Sequence, residues 1–112
     1  MANRINGPLA GIKILDIGSA LSTPMAATIL GDQGADVIRV EPTGIGDLTR
    51  YVGAKRNGVS AIYQAANRGK RNIALDLKSD AGVEVFYRLA KNTDVVIHNF
   101  RPGVAERLHI DY

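Results

Sequence analysis

Alternating blocks of apolar and polar residues between Gly11 and Glu41 predict a strand, a turn, a helix and a second strand. The near-continuous apolar run at 12–17 is typical of a strand that is buried on both faces of a parallel sheet. Residues 36–41 form the return strand, which should lie parallel to the first because a helix connects the two. In sheets built from such βαβ units, ligands bind beyond the carboxyl ends of the strands.

The connecting helix is expected to start at Pro24. Thr23 offers an N-cap hydroxyl, and a proline at the first helical position loses no hydrogen bond. Gly34 is placed to end this helix, because glycine adopts the positive φ of a helix terminus without strain. Residues 1–10 precede the unit and are interpreted as an arm that contains a Gly-Pro breaker.

The rest of the chain continues the alternation of strands and helices. The pattern predicts an irregular loop at 42–59, a helix at 60–67, a strand at 72–77, a helix from 80 to about 91 with Ser79 as its N-cap, a strand at 94–98 and a short helix that ends near Leu108. A loop as long as 42–59 is usually functional or covered by a partner. The alternation predicts a Rossmann-like α/β fold, a mostly parallel sheet with flanking helices.

Composition narrows the class of protein. The chain has 112 residues, 46% of them hydrophobic, and no apolar run approaches the ~18 residues of a membrane-spanning helix. It contains no cysteine, and its first residues lack the apolar core of a signal peptide, so we expect a cytoplasmic protein without a membrane partner. The net charge of +3 suits an anionic small molecule as well as a polyanion. Neither His98 nor His109 has a second ligand at metal-binding spacing, so no metal site is expected.

The predicted sheet is incomplete. Four strands leave an apolar edge exposed, which predicts either an oligomer or the front part of a longer polypeptide. We favour the longer polypeptide.

Four sequence segments, taken together, indicate a particular protein family more specifically than the predicted fold does. Their sequences, in chain order, are LxGIxxLDxG, GADVIRVE, NRGKRNIALDLKSDAG and DVVIHNFRPGVAERL. This order and spacing over residues 8–112 resembles the N-terminal part of the class III (family III) CoA-transferases, a superfamily with formyl-CoA and carnitine CoA-transferases and α-methylacyl-CoA racemases.

The resemblance implies an enzyme that uses acyl-CoA and a carboxylic acid acceptor and works as an interlocked homodimer, with no nucleic acid as partner. It implies that residues 1–112 are the N-terminal part of a CoA-binding large domain, and that the remainder of the enzyme is absent. The aspartate nucleophile of such enzymes, which forms an anhydride and then a thioester, lies downstream of the matching segments. No catalytic residue is therefore expected in this chain.

The resemblance also implies contacts with coenzyme A. The positions that match residues at its nucleotide end are Leu75, Lys78, Asn99, Phe100 and Arg107. The positions that match the loop near the pantetheine arm and the thioester are Ala20, Leu21 and Ser22. Where relatives often have a phosphate-binding arginine this chain has Pro42, so either Arg39 or the pair Lys70-Arg71 substitutes or one phosphate contact is lost.

The sequence leaves several alternative functions open. Leu21 stands where formyl-CoA transferases have glutamine, which makes formyl or oxalyl transfer less expected. An α-methylacyl-CoA racemase-like enzyme fits the same motifs, although the loop at 42–59 favours a transferase. Glu41, at the end of the second strand, is placed like the ribose-binding acid of a dinucleotide-binding module, although the turn after the first strand lacks G-x-G-x-x-G. A noncatalytic assembly module is the last alternative.

Overall fold

One parallel sheet organises the residues that the computed structural model describes, 6–112. The elements are β1 (Lys13–Asp16), α1 (Ser22–Asp32), β2 (Asp36–Glu41), a 3₁₀ helix (Leu48–Tyr51), β3 (Lys55–Arg56), β4 (Val59–Ser60), α2 (Ala61–Asn67), β5 (Arg71–Ala74), α3 (Asp80–Ala90), β6 (Val95–Ile97) and α4 (Val104–Arg107).

The four strands of this sheet run in the order β5-β2-β1-β6, and every neighbouring pair is parallel. The register places Leu15 opposite Ile38 and Val96, and Asp16 opposite Arg39. All four carboxyl ends therefore meet at one edge of the sheet. The predicted α/β fold with a parallel sheet is confirmed.

The two faces of the sheet bury different side chains. Leu15, Ile17 and Val40 pack in one apolar cluster with Phe86 of α3 and Ala105 of α4. On the opposite face Ile14 and Val37 pack with Ala27 of α1. As expected for an edge strand, Val95 and Val96 of β6 remain 45% and 40% exposed.

The predicted start of α1 is wrong by two residues. The helix begins at Ser22, Leu21 is its N-cap, and no side chain caps it. The Thr23 side chain is buried against Gly18 instead, where a Cβ at Gly18 would lie 2.5 Å from the Thr23 Cβ. The end of the helix is as predicted, since Gly34 follows it with φ of +106°.

The segment 42–59 is more ordered than predicted. Asp47 caps the 3₁₀ helix by accepting a hydrogen bond from the Thr49 N–H. Asn57 and Gly58 both have positive φ, 52° and 77°, and join β3 to β4 as a two-residue hairpin. Asn-Gly is a strong hairpin signal of this kind, and the interpretation of the whole segment as irregular missed it.

The later helices match their predictions, and the strands are shorter. Ser60 and Ser79 cap α2 and α3 by accepting hydrogen bonds from Tyr63 N–H and Gly82 N–H. The strand predicted at 72–77 is β5, 71–74, because the chain turns at Asp76. Of the predicted arm, 1–5 lie outside the described residues, and Leu9 N–H donates to the Gln33 carbonyl. Within 6–112, no helix is long and apolar enough to cross a bilayer.

Candidate functional site

The loops that follow the four parallel strands meet at the carboxyl edge of the sheet. They are residues 18–21 after β1, 42–47 after β2, 75–79 after β5 and 98–103 after β6. Ligands of open parallel sheets bind at this edge, so the side chains of these four loops define the candidate site.

A buried cluster of charges lies beneath the loop after β1. The Arg39 guanidinium is fully buried and donates to Asp16 at 3.2 Å, to the Gly18 carbonyl at 2.9 Å and to Asp47. The side chains of Asp16 and Asp47 are 0% and 1% exposed. Buried charges persist only when they are paired and hydrogen bonded, as these are.

Lys70 completes this cluster from the segment between α2 and β5. Its ammonium lies 2.8 Å from Asp16 Oδ2, 2.7 Å from the Pro24 carbonyl, and 3.0 Å from both the Ala66 carbonyl and Asn67 Oδ1. Burial lowers the pKa of Lys70, and the hydrogen bond to Asp16 opposes that shift. The lysine therefore ties α1, α2 and β1 together.

A second buried acid, Glu41, ends β2. Its Oε1 accepts from Arg50 at 2.7 Å, from Tyr63 at 2.5 Å and from Asn72 at 2.5 Å. Its Oε2 accepts from Arg50 Nε and from the Asp47 N–H, each at 2.8 Å. Burial raises the pKa of Glu41, but these hydrogen bonds outweigh it and hold the pKa well below its usual value.

The side chains that bind Glu41 also contact one another. Arg50 lies 3.9 Å above the centre of the Tyr63 ring, and the bond to Glu41 raises the pKa of Arg50. Burial and the hydrogen bond to Glu41 raise the pKa of Tyr63 to about 12. Beside them an open cleft of about 470 Å³ is lined by residues that include Pro42, Ile45, Arg50 and Tyr51.

Most of the predicted nucleotide-end residues come from segments that meet on one apolar cluster. Leu75 is buried in it, Phe100 packs against it, and α4 contributes Ala105. Lys78 and Arg107 are exposed at the borders of the same segments. The Phe100 ring stacks on His98, with ring centres 5.0 Å apart.

Asn99 lies against the loop after β1. Its side-chain oxygen accepts from the Ser19 N–H at 2.9 Å, and its amide donates to the Ser19 carbonyl and to Ser22 Oγ, both at 2.9 Å. The structure thus brings Asn99 together with Ser22 and with its neighbours Ala20 and Leu21, of which Leu21 is 51% exposed.

Arg71 lies apart from the other predicted residues. It begins β5, whereas Leu75 and Lys78 follow its end, and its guanidinium is 2.7 Å from Asp36 at the start of β2. Arg71 therefore belongs to the amino edge of the sheet.

Two expectations about charged residues are wrong. Arg39 and Lys70 cannot substitute for a phosphate-binding arginine, because both are buried and bonded to internal oxygens. Glu41 is not a free ribose-binding acid, because both of its oxygens are occupied by protein donors. This occupancy removes the residue on which the dinucleotide-binding alternative depended.

The sequence did contain a signal for the buried charges. Arg39 and Glu41 alternate within the strand DVIRVE, and a strand turns every second side chain to the same face. Asp16 sits inside an otherwise apolar strand and pairs in register with Arg39. Charges at such positions of a doubly covered sheet indicate a buried polar network. Among residues 6–112, no group of His, Cys, Asp or Glu is arranged to hold a metal ion.

Known proteins share both the sequence and the fold. Acetyl-CoA:oxalate CoA-transferase of Acetobacter aceti is 40% identical over 95% of this chain and 27% of its own length. Succinyl-CoA:glutarate CoA-transferase of Homo sapiens is 42% identical over 94% of this chain and 24% of its own. The crystal structure of a CAIB/BAIF family protein from Brucella suis superposes with a TM-score of 0.87 at 39% identity, covering 96% of this chain and 29% of that protein.

The chain thus spans about a quarter of the length of the curated relatives it matches. Residues 9–112 match the family described as CoA-transferase family III. The resemblance seen in the four sequence segments is therefore confirmed, and the chain belongs to CoA-transferase family III.

Proposed function

We propose that this chain is the N-terminal CoA-binding segment of an acyl-CoA:carboxylate CoA-transferase. The nucleophile, an aspartate that passes through an anhydride and a thioester, lies outside these residues in this proposal. Coenzyme A or its acyl thioester is the substrate held here. The complete enzyme is a cytoplasmic homodimer that also takes a carboxylic acid acceptor.

The observation that carries the proposal is the distribution of free cations. Within the described residues, six basic side chains each bind a carboxylate, and seven make no ion pair. The paired ones are Arg39, Arg50, Arg68, Lys70, Arg71 and Arg88, and the unpaired ones are Lys13, Lys55, Arg56, Lys78, Lys91, Arg101 and Arg107. Three of the unpaired cations, Lys78, Arg101 and Arg107, follow β5 and β6 or lie on α4, in the segments that leave the carboxyl edge of the sheet. Phosphate groups bind to such donors through charge-assisted hydrogen bonds.

The same edge offers apolar contacts for the other parts of coenzyme A. The ring of Phe100, already stacked on His98, provides an aromatic surface against which adenine can lie. In the proposal, the exposed loop with Leu21 and Ser22 accepts the pantetheine arm and the thioester. Asn99 bonds this loop to the segment that carries Phe100 and Arg101, so the two ends of the ligand are bound by connected parts of the protein.

The relatives favour transfer over racemisation. Proteins 40% and 42% identical to this chain are named for acetyl-CoA:oxalate and succinyl-CoA:glutarate transfer, and a 39% identical relative from Chloroflexus aurantiacus for succinyl-CoA and L-malate. All of these acceptors are dicarboxylates. We therefore propose a dicarboxylate as the acceptor.

The proposal is tested by NMR titration of the ¹⁵N-labelled chain with CoA, dephospho-CoA and NAD. Two or three charge-assisted hydrogen bonds at ~1.5–3 kcal/mol each must exceed an association cost of at least ~4 kcal/mol, so binding by these residues alone should be weak. CoA should shift the amide signals around Lys78, Phe100 and Arg107, dephospho-CoA should bind less well, and NAD should have no effect.

A matched pair of variants tests whether CoA binds at the carboxyl edge or at the amino edge of the sheet. Arg107→Ala should weaken CoA binding about tenfold to a hundredfold, since it removes a charge-assisted contact. Arg71→Ala removes the same charge at the amino edge and should leave binding unchanged. Equal shifts with NAD and CoA, or an equal loss from the two variants, would contradict the proposal.

A further inference from the structure

The buried charge cluster is bonded directly to the backbone of the turn between β1 and α1. The Gly18 N–H donates to Asp16 Oδ1 at 3.0 Å, and Arg39 donates to the Gly18 carbonyl at 2.9 Å. The Ala20 N–H donates to Asp47 Oδ2 at 3.1 Å. Three backbone groups within three residues are thus held by side chains from β1, β2 and the loop after β2.

Asn99 fixes Ser19, the residue between Gly18 and Ala20. It accepts from the Ser19 N–H and donates to the Ser19 carbonyl, both at 2.9 Å. Every backbone N–H and C=O from the Gly18 nitrogen to the Ala20 nitrogen therefore has a side-chain partner. Turns at the surface usually leave several such groups to water, so this turn is held far more completely than its connecting role requires.

Ala20 has an unfavourable conformation that these bonds maintain. Its φ is +59°, in the left-handed region that residues other than glycine rarely adopt. A strained residue of this kind persists only where its surroundings over-determine it, and such residues cluster at ligand sites. Asp47 is the group that binds the Ala20 N–H, so it acts on the strained residue itself.

We infer that Asp47 is a positioning residue for the acyl-CoA site. It holds Ala20 in the left-handed conformation and thereby presets the stretch Ala20–Ser22 for the thioester end of the ligand. Arg39 orients Asp47. The Glu41 carboxylate accepts from the Asp47 N–H at 2.8 Å, and the backbone N–H of Thr49 donates to Asp47 Oδ1 at 2.8 Å. The loop after β2 thus determines the shape of the loop after β1. This inference rests on the proposed function, because it takes Ala20–Ser22 as part of the acyl-CoA site.

The test compares Asp47→Ala with the matched control Thr49→Val in the ¹⁵N-labelled chain. The control removes a buried hydroxyl that donates to the other carboxylate oxygen, Oδ1, and leaves the bond to Ala20 intact. The first readout is the intraresidue HN–Hα NOE of Ala20, which is strong at positive φ because the two hydrogens are nearly eclipsed. The second is amide exchange at Ala20, and the third is the titration with CoA.

Asp47→Ala should remove the strong NOE and speed exchange at Ala20 about tenfold, with exchange in α3 unchanged. It should weaken CoA binding about fivefold, as expected when the binding-competent conformation of the loop is less populated. Thr49→Val should change neither the Ala20 NOE, nor amide exchange at Ala20, nor CoA binding. Asp47→Asn, which keeps an oxygen for the Ala20 N–H, should restore the NOE and serves as the second variant if Asp47→Ala does not fold.

The outcomes separate the two proposals. A normal Ala20 NOE in Asp47→Ala, or a lost NOE with undiminished CoA binding, would overturn the positioning role and leave the proposed function standing. No response of the unmodified chain to CoA would instead overturn the proposed function, while the NOE and exchange data would still decide whether Asp47 holds the turn.

Discussion

Replacing Arg39 with methionine should be among the most damaging single changes in this fold. Methionine keeps most of the aliphatic length of arginine, so the substitution removes the charge and the hydrogen bonds with little loss of volume. Asp16 would keep its bond to Lys70 at 2.8 Å. Asp47, 1% exposed, would lose the one cation that it binds among the described residues.

The expected loss in free energy of unfolding follows from the burial of Asp47. Removing one partner of a buried ion pair leaves an uncompensated charge, which costs about 3–5 kcal/mol. A domain of this size is stable by only about 5–15 kcal/mol in total, so Arg39→Met should bring the chain close to unfolding. The matched control is Arg71→Met, whose ion pair with Asp36 is 67% and 49% exposed. Exposed pairs of this type contribute about 0–1 kcal/mol.

Urea unfolding followed by circular dichroism measures both costs. The free energy of unfolding should fall by at least about 3 kcal/mol in Arg39→Met and by less than about 1 kcal/mol in Arg71→Met. Adding Asp47→Asn to Arg39→Met should recover part of the loss, because the pair of changes leaves no unpaired carboxylate. If the two single variants were equally stable, the argument from burial would be refuted.

Two further predictions concern stability. The pKa of Glu41 is lower in the folded chain than its ordinary value of 4.5, so stability should be fully present above about pH 4.5 and decline as the pH falls below it. Glu41→Gln should flatten that decline in unfolding measured between pH 3 and pH 7, and an unchanged slope would rule out Glu41 as its source. Ser79→Ala should cost about 1 kcal/mol, because it removes the N-cap bond to the Gly82 N–H. Thermal unfolding measures this cost, and an unchanged midpoint would show that the cap contributes nothing.

The sequence predicted the elements whose signals are local. The bounds of β2 agree with its pattern, Ser79 caps α3 as predicted, and Gly34 follows the end of α1 as predicted. The start of α1 was predicted wrongly because the buried contact of Thr23 with Gly18 competes with capping. That contact joins two segments through the tertiary fold, and propensity alone does not reveal it.

The candidate site was less predictable because it depends on which charges find internal partners. Lys70 and Arg71 are neighbours in sequence, yet Lys70 is buried against Asp16 and Arg71 is 67% exposed beside Asp36. Successive residues that enter a strand point in opposite directions, and only the strand order shows what each one meets. Arg71 was expected to substitute for a missing phosphate-binding arginine, whereas the fold places it at the far edge of the sheet.

The sheet is stabilised differently on its two sides. The side covered by α3 is held by packed apolar groups such as Phe86, and stabilisation of this kind weakens on cooling. Towards the carboxyl edge, the side covered by α1 depends on Asp16, Arg39 and Lys70, and the desolvation penalty of buried ions falls as temperature rises. Both contributions therefore weaken on cooling, so the apolar side and the ionic side of the sheet lose stabilisation together as the temperature falls.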